Sequence, residues 1–289
     1  MSCEVTVARS LGEALEALAR PGAPTQVLAG GTDLMVELRT GRARPERVVD
    51  IWKLHELRGV RVEADGLRIG ALATCAELRG DARVARDAAL VAQACAEVGA
   101  EQIQARATLG GNLGTASPAA DLNPALVALG ARVRLASLAG LRELACEEFL
   151  AGYRSTLRRP DELVESVLVP TRPAGERCGL RKVGTRRAQS ISKLVVALAV
   201  TVEGRRITAL RGAAGSVGPR TLRLASLERD LLGAPPDVER LRAASAHSAR
   251  ADVTPIDDVR SSAAYRRQVF ARVLATLLGE LTGASACRS

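Results

Sequence analysis

The order of apolar and polar residues predicts a protein in which helices and strands are mixed along the chain. Ser10 and Glu13 form a capping box, which predicts a helix that runs to about Arg20. Thr25–Ala29 is then a short apolar run of strand length, and a helix-like segment follows over residues 34–40. The chain is therefore expected to begin with a helix, a buried strand and a second helix.

The remaining residues divide into two regions. The first is predicted to contain strands at 47–51, 67–71 and 163–169, helices at 85–98 and 124–129, a second capping box at Thr74–Glu77, and a hairpin at 131–146 that turns near Ala139-Gly140. The second is predicted to contain strands at 179–185, 194–202 and 207–215, then helices at 222–232, 238–248 and 263–281. These elements predict an α+β protein with a first domain over residues 1–172. A smaller C-terminal domain of antiparallel sheet plus helices is expected over residues 173–289.

The composition narrows the class of protein. The hydrophobic share of 47% is enough for a sizeable core. The longest apolar run, Leu194–Val200, is much shorter than the ~18 residues that a membrane-spanning helix needs. The first residues lack the basic start and apolar stretch of a secretory signal. We therefore expect a cytoplasmic protein without a membrane span.

The cysteines do not have the spacing of a metal site. None forms a CxxC pair, and no histidine lies near one of them at ligand spacing. We expect no metal ion in this chain and reduced, mostly buried thiols at the six positions Cys3, Cys75, Cys95, Cys146, Cys178 and Cys287.

The charge is strongly basic, with a formal net charge of +9 and a pI near 9.9. Nucleic-acid binding is nevertheless not expected. Aromatic residues make up only 2% of the chain, so stacking platforms for single strands are missing, and the arginines are spread along the sequence. A basic face for an acidic partner remains an interpretation of this charge.

Two glycine-rich stretches carry the candidate chemistry. Residues 26–34 place Gly30-Gly31 directly after a predicted strand. Residues 108–115 (TLGGNLGT) also contain two consecutive glycines. Glycine permits positive φ and lacks a Cβ, so backbone amides can approach an anion, and Thr and Asn add side-chain donors. Two such stretches in one domain indicate a diphosphate held from two sides. Neither has the GxGxxG or GxxxxGK[ST] spacing of the Rossmann and P-loop sites.

Two carboxylates, Asp33 and Asp121, lie in or after these stretches. Each could accept hydrogen bonds from ribityl or ribose hydroxyls or from flavin ring nitrogens, and loop capping is the alternative. The two histidines, His55 and His247, stand alone, and neither HExxH nor GxSxG occurs. No catalytic residue is assigned, so a bound cofactor is expected to supply the chemistry.

The motifs AGGTDL (Ala29–Leu34) and TLGGNLGTASPAADLNPAL (Thr108–Leu126) closely resemble the flavoprotein subunit of the molybdenum hydroxylases, the xanthine dehydrogenase and carbon monoxide dehydrogenase family. The resemblance continues through residues 149–164, 181–193, 215–219 and 255–267, so it covers nearly the whole chain. It implies a PCMH-type FAD-binding domain of two α/β subdomains, with non-covalent FAD between them, followed by the C-terminal domain of the carbon monoxide dehydrogenase flavoproteins.

The resemblance also implies which residues bind the cofactor. The first stretch would line one side of the pyrophosphate, the second would line its other side and the ribityl chain, and three further positions match FAD contacts in the family. These residues are Val27, Leu28, Ala29, Gly30, Gly31, Thr32, Asp33, Leu34, Thr108, Leu109, Gly110, Gly111, Asn112, Thr115, Asp121, Val164 and Lys182. A lysine at position 182 near the flavin would stabilise the reduced ring, so the hypothesis is that Lys182→Ala lowers the flavin potential.

The family assignment implies partners as well. A large subunit with a molybdenum cofactor and a small subunit with [2Fe-2S] clusters would deliver electrons to FAD. The complex is expected to be xanthine dehydrogenase-like, with a purine or related heterocycle as substrate. The acceptor stays open between NAD⁺, oxygen and another molecule, because Val98 replaces a stacking aromatic of the family and residues 188–190 (Ala-Gln-Ser) replace an acidic loop. The alternatives are a stand-alone flavin oxidoreductase and a cofactor-free assembly protein of the same fold.

Overall fold

The computed structural model describes residues 3–284, in which helices surround sheets of three, five and four strands and a two-stranded ribbon. The strands are β1 (Glu4–Val7), β2 (Thr25–Leu28), β3 (Arg47–Asp50), β4 (Val60–Glu63), β5 (Gly66–Gly70), β6 (Arg132–Ser137), β7 (Gly140–Ala145), β8 (Leu150–Gly152), β9 (Ser155–Thr156), β10 (Leu163–Pro170), β11 (Arg177–Val183), β12 (Leu194–Glu203), β13 (Arg206–Gly215) and β14 (Leu222–Arg223). The helices are α1 (Leu11–Ala19), α2 (Leu34–Arg39), α3 (Cys75–Gly80), α4 (Ala82–Asp87), α5 (Ala89–Glu97), α6 (Glu101–Gln104), α7 (Leu109–Thr115), α8 (Leu122–Ala128), α9 (Cys146–Phe149), α10 (Ala225–Leu231), α11 (Val238–Ala251) and α12 (Ala263–Thr282).

A parallel sheet with the strand order β1-β3-β2 forms the first subdomain. Helix α1 begins at the predicted cap, because the Ser10 hydroxyl accepts a hydrogen bond from the Glu13 amide at 3.2 Å. The predicted capping box is only half formed, since the Glu13 carboxylate accepts from the Arg9 amide at 2.8 Å and not from the Ser10 amide. The buried face of α1 packs with Val49 and Ile51 in one hydrophobic cluster. This subdomain positions the turn that follows β2, where the first glycine stretch lies.

An antiparallel sheet with the order β4-β5-β10-β6-β7 forms the second subdomain. The predicted hairpin is confirmed, with Ser137 paired to Gly140 across its turn. The predicted capping box before α3 is complete: Thr74 accepts from the Glu77 amide at 3.2 Å and Glu77 accepts from the Thr74 amide at 2.7 Å. Residues of α5, α7 and α8 fill the core against this sheet.

The antiparallel sheet β11-β12-β13-β14 forms the C-terminal region, as predicted. Its two faces belong to different hydrophobic clusters. Val196 and Leu198 pack with α10, α11 and α12, whereas Val195, Ala197 and Ala213 pack with the helices of the second subdomain. Both faces of the sheet are therefore covered, and its edge strand β11 lies beside the candidate site described below.

Several predicted elements differ from the structure. The helix predicted over 85–98 is divided into α4 and α5 at Ala88, whose φ of −137° and ψ of 45° are not helical. No helix is predicted for the glycine stretch at 108–115, yet it contains α7, and residues 222–223, predicted as the start of a helix, form β14. The edge strand β1 has no counterpart in the prediction.

The cysteines of residues 3–284 are free: three are buried, Cys178 is half-buried and Cys3 is exposed. Cys287 lies outside the described residues. Within this part of the chain, no three His, Cys, Asp or Glu side chains are grouped so that they could hold a metal ion. None of its helices has the length and apolar character needed to span a membrane.

Candidate functional site

The first glycine loop, residues 29–33, connects β2 to α2 and lies against the backbone of Arg106. A Cβ atom at Gly30 would lie only 1.7 Å from the Arg106 carbonyl oxygen, so no other residue fits at position 30 without moving one of the two segments. Gly31 has a φ of +80°, in the left-handed region that favours glycine. The loop is thus held beside the residues that precede the second glycine stretch.

The backbone amides of this loop are unpaired. Within residues 3–284, the N–H groups of Gly30, Gly31, Thr32 and Asp33 donate to no protein acceptor, while the Gly31 carbonyl accepts from the Met35 amide at 3.1 Å. Successive unpaired amides next to a left-handed glycine form the kind of concave surface that binds anions. This part of the sequence-based prediction therefore has a geometric counterpart in the loop.

The second glycine segment, residues 108–115, uses its amides differently. The Gly110 amide donates to the Ala71 carbonyl at 2.8 Å, and the Gly111 amide donates to the Thr108 hydroxyl at 3.1 Å. A Cβ atom at Gly110 would lie 2.7 Å from the Ala71 Cβ. Amides of both stretches are predicted to converge on one anion, but in the second segment the Gly110 amide fastens α7 to the second subdomain and the Gly111 amide is used in the cap of α7. Any cofactor contact of this segment would come from its side chains and from the bare surfaces of the two glycines in the predicted set, Gly110 and Gly111.

Two side chains of the second segment point to a ligand. The amide oxygen of Asn112 is buried and accepts no hydrogen bond from residues 3–284. Leaving such an atom unpaired costs about 1–3 kcal/mol, which a ligand donor would offset. The Thr115 hydroxyl lies 3.4 Å from a carboxylate oxygen of Asp33. The two glycine stretches are therefore adjacent, and together they fit a group that carries both phosphate oxygens and hydroxyls.

A buried network, here called the Asp121 triad, joins the second subdomain to the C-terminal sheet. The Lys182 ammonium donates to Asp121 at 2.8 Å and to the Glu97 carbonyl at 2.7 Å, and the Ser192 hydroxyl donates to the other Asp121 oxygen at 2.6 Å. The side chains of Lys182 and Asp121 are only 5% and 11% exposed. Burial raises the pKa of Asp121, and the bonds from Lys182 and Ser192 oppose that rise.

The two predicted carboxylates, Asp33 and Asp121, do not act as caps, so the loop-capping alternative does not apply to them. Neither Asp33, at the start of α2, nor Asp121, at the start of α8, accepts a hydrogen bond from the helix that follows. Asp33 instead forms an ion pair with Arg154 at 2.7 Å, and the same guanidinium also binds Glu37. We call these three residues the Arg154 cluster.

The other predicted positions lie around these groups. Val27 and Ala29 pack partly against the first subdomain core, and Leu34 is buried at the start of α2. Leu109 and Val164 are buried in the core cluster of the second subdomain. Within residues 3–284, no hydrogen bond or ion pair joins the Asp121 triad directly to the first glycine loop; residues 116–120 connect Asp121 to the end of α7, where Thr115 contacts Asp33.

The positions that left the acceptor open lie in exposed or partly exposed places. Val98 is half-buried, and its carbonyl accepts from the Gln104 side chain at 3.0 Å. In the loop that precedes Ile191, the Arg186 guanidinium donates to the Gln189 carbonyl at 2.6 Å, while Arg187 is exposed. The loop therefore carries two arginines directly before residues 188–190, the positions at which the resemblance would place acidic residues.

Sequence reasoning missed several residues of the site. Arg154 and Ser192 belong to no glycine motif, although both lie in segments that carry the family resemblance. Arg106 was also missed: its guanidinium lies 3.7 Å from the ring centroid of Trp52, which Arg58 approaches to 4.4 Å. Trp52 is the single tryptophan of the chain, so its fluorescence reports on the neighbourhood of the first glycine loop.

Comparison with family models covers most of the chain. Residues 1–172 match the model described as the FAD binding domain in molybdopterin dehydrogenase. Residues 180–281 match the CO dehydrogenase flavoprotein C-terminal domain. Both matched ranges contain residues of the Asp121 triad.

Individual relatives agree with these models. The chain is 30% identical to the nicotinate dehydrogenase FAD-subunit of Eubacterium barkeri, over 90% of each chain. It is 28% identical to a xanthine dehydrogenase FAD-binding subunit of Escherichia coli O157:H7, over 96% of this chain and 95% of the relative. Among solved structures, a carbon monoxide dehydrogenase from Hydrogenophaga pseudoflava that lacks the Mo-pyranopterin moiety of its molybdenum cofactor matches with a TM-score of 0.94 and 28% identity, over 99% of both chains.

Proposed function

The chain belongs to the FAD-binding subunits of the molybdenum hydroxylase family, and we propose that the site described above binds FAD non-covalently and passes electrons from an iron–sulfur subunit to an external acceptor. The proposal includes the division into an FAD-binding domain over residues 1–172 and a C-terminal domain over residues 173–289, and a cytoplasmic location.

The observation that carries the proposal is the set of unpaired amides at Gly30–Asp33 beside the buried, unpaired oxygen of Asn112. The amides are suited to phosphate oxygens, and the Asn112 oxygen is suited to a hydroxyl or N–H donor. FAD carries both kinds of group, whereas a free phosphate carries only the first.

We propose the following roles for the chain's own residues. The amides of the first glycine loop hold the diphosphate, Asn112 and Thr115 bind hydroxyl or N–H groups, and the Asp121 triad keeps a buried cation near the flavin. When bound, FAD supplies an acceptor that takes up electrons singly and can release them as a pair. The residues orient that group and set the charge around it.

The partner subunits are part of the proposal. A large subunit with a molybdenum cofactor would oxidise the substrate, and a small subunit with [2Fe-2S] clusters would relay electrons to this chain. We propose a nitrogen heterocycle, with a purine first, as the substrate of the complex. The names of the xanthine and nicotinate dehydrogenase relatives support this class. NAD⁺ is one of the candidate acceptors.

Binding of FAD can be tested with the chain itself. We expect the apoprotein to bind one equivalent of FAD, to acquire a flavin absorption spectrum and to lose Trp52 fluorescence, because Trp52 packs on Arg106 beside the first glycine loop. Denaturation should release all of the flavin. If the chain binds no FAD either alone or with its partner subunits, it is the cofactor-free assembly protein.

Reconstitution tests the place of the chain in the complex. We expect electron transfer from xanthine or nicotinate to NAD⁺, oxygen or an artificial dye only when the large and small subunits are present. The control is the FAD-loaded chain alone with the same substrates and acceptors. Turnover by the chain alone would identify a stand-alone flavin oxidoreductase and contradict the subunit role.

A further inference from the structure

Arg154 lies in the turn between β8 and β9, far along the chain from the first glycine loop, yet its guanidinium contacts that loop. It forms an ion pair of 2.7 Å with Asp33 and a second ion pair with Glu37 on α2. Its own amide donates to the Ala116 carbonyl, at the end of α7, at 3.2 Å. One residue therefore connects both glycine stretches.

The backbone of Arg154 is held in an unfavourable conformation. Its φ of 49° lies in the left-handed region, which costs a non-glycine residue about 1 kcal/mol or more. Glycine would adopt this turn without that cost, so the turn itself does not require an arginine. What the side chain adds is its charge, directed at the two carboxylates.

The charge balance at the first glycine loop explains the effect of the Arg154 charge. Asp33 and Glu37 bring two negative charges next to four unpaired amides, and a diphosphate would add further negative charge. With Arg154 present, the Arg154 cluster carries a net charge of −1; without it, the cluster carries −2. The side chains of Asp33 and Glu37 are 47% and 23% exposed, so the repulsion is screened in part but not removed.

We propose that Arg154 is a positioning residue of the FAD site: it neutralises the Asp33 and Glu37 carboxylates and ties the first glycine loop to the end of α7, so that a diphosphate can lie against the amides of residues 30–33. This inference rests on the proposed function. It assigns to the GYRST segment a role in charge compensation, and it explains why an arginine stands at a left-handed position.

A charge-matched series of variants tests it. FAD dissociation constants would be measured by titration of Trp52 fluorescence for wild type, Arg154→Lys, Arg154→Gln and the double variant Glu37→Gln/Arg154→Gln. Arg205→Gln is the matched control, because Arg205 is another left-handed arginine (φ 65°) that forms no ion pair within residues 3–284. Urea unfolding of each apoprotein shows whether the variants are folded.

We expect Arg154→Gln to weaken FAD binding about tenfold, as a lost charge interaction of this kind would. The difference in FAD affinity between Arg154→Gln and wild type should become smaller at higher salt. Arg154→Lys should bind FAD more tightly than Arg154→Gln, and the double variant should recover most of the wild-type affinity. Arg205→Gln should match wild type. Wild-type-like binding by Arg154→Gln overturns the inference while leaving the proposed function intact.

Two further outcomes also overturn it. If the double variant is folded but binds FAD no better than Arg154→Gln, the carboxylate charge is not what Arg154 compensates. If wild type binds no FAD either alone or with its partner subunits, the proposed function fails together with this inference. Wild-type binding distinguishes that failure from a failure at Arg154 alone.

Discussion

Gly30→Ala is expected to weaken FAD binding by roughly a hundredfold, or about 2.7 kcal/mol. The added Cβ would lie 1.7 Å from the Arg106 carbonyl oxygen. The backbone of residue 30 fixes the Cβ and the oxygen belongs to the Arg106 backbone, so neither atom can rotate away. The first glycine loop must therefore move off the segment before α7, and its unpaired amides move with it. Titration of the apoprotein with FAD, followed by flavin absorbance and Trp52 fluorescence, measures the loss.

Gly114→Ala is the matched control. Gly114 lies in α7 within the same glycine-rich segment, but nothing lies within 4 Å of a Cβ built there. Alanine in a helix is about 1 kcal/mol more favourable than glycine, so this variant should bind FAD like wild type and unfold at slightly higher urea. Equal affinities for Gly30→Ala and Gly114→Ala would show that the fit at Arg106 does not position the site.

The first glycine loop was predictable because its backbone geometry requires a specific residue type. A close approach of two backbones and a positive φ leave glycine as the residue that fits, so Gly30-Gly31 after an apolar run is visible in the sequence. The same reasoning found the helix cap at Ser10 and the capping box at Thr74, whose hydrogen bonds are local. Signals of this kind involve neighbours within a few residues.

Elements that depend on distant contacts were not predictable in the same way. Helix α7 forms in spite of three glycines, because Thr108 caps it and its first amides bind carbonyls of residues 71 and 73. Strand β1 is a four-residue edge strand whose valines Val5 and Val7 are 57% and 48% exposed, and it is defined by its parallel pairing with residues 47–50, far along the chain. No glycine or proline lies next to Ala88, so the sequence does not indicate the break in the helix there.

The residues of the candidate site also divide into those with local sequence signals and those that depend on distant contacts. Its glycines, Asn112 and the two aspartates stand in recognisable motifs, but the partners of those aspartates come from elsewhere: Arg154 reaches Asp33 and Ser192 reaches Asp121. An arginine or a serine in a loop carries no signal in the sequence, so only the folded chain shows that Arg154 balances charge at Asp33 and that Ser192 donates a hydrogen bond to Asp121.

Lys182→Met is expected to lower the free energy of unfolding by about 3–5 kcal/mol, because it leaves the buried carboxylate of Asp121 without its cation. It should also lower the potential of bound FAD, since a positive charge near the flavin favours the reduced, more negative form. A loss of about 1.4 kcal/mol of that preference corresponds to about 30 mV for a two-electron couple. Urea unfolding and a redox titration measure the two effects.

The pH dependence of the loss in unfolding free energy of Lys182→Met distinguishes a lost charge interaction from lost packing. Burial raises the pKa of Asp121 in the folded state, so the neutral acid is the better tolerated form and the folded protein loses stability as pH rises through that pKa. Lys182 opposes this rise, so its removal moves the pKa of Asp121 still higher. Lys182→Met should therefore cost little at acidic pH and progressively more towards neutral pH. A cost that does not change with pH would indicate lost packing of the lysine stem instead.

Ser192→Ala provides the comparison within the Asp121 triad. It removes the 2.6 Å hydrogen bond to Asp121 and leaves the 2.8 Å ion pair in place, so we expect a loss of about 1 kcal/mol and almost no change in flavin potential. The two variants thus separate a hydrogen bond that orients the carboxylate from the cation that sets the charge. If Ser192→Ala shifts the potential as far as Lys182→Met does, the orientation of Asp121, and not the charge of Lys182, controls the flavin.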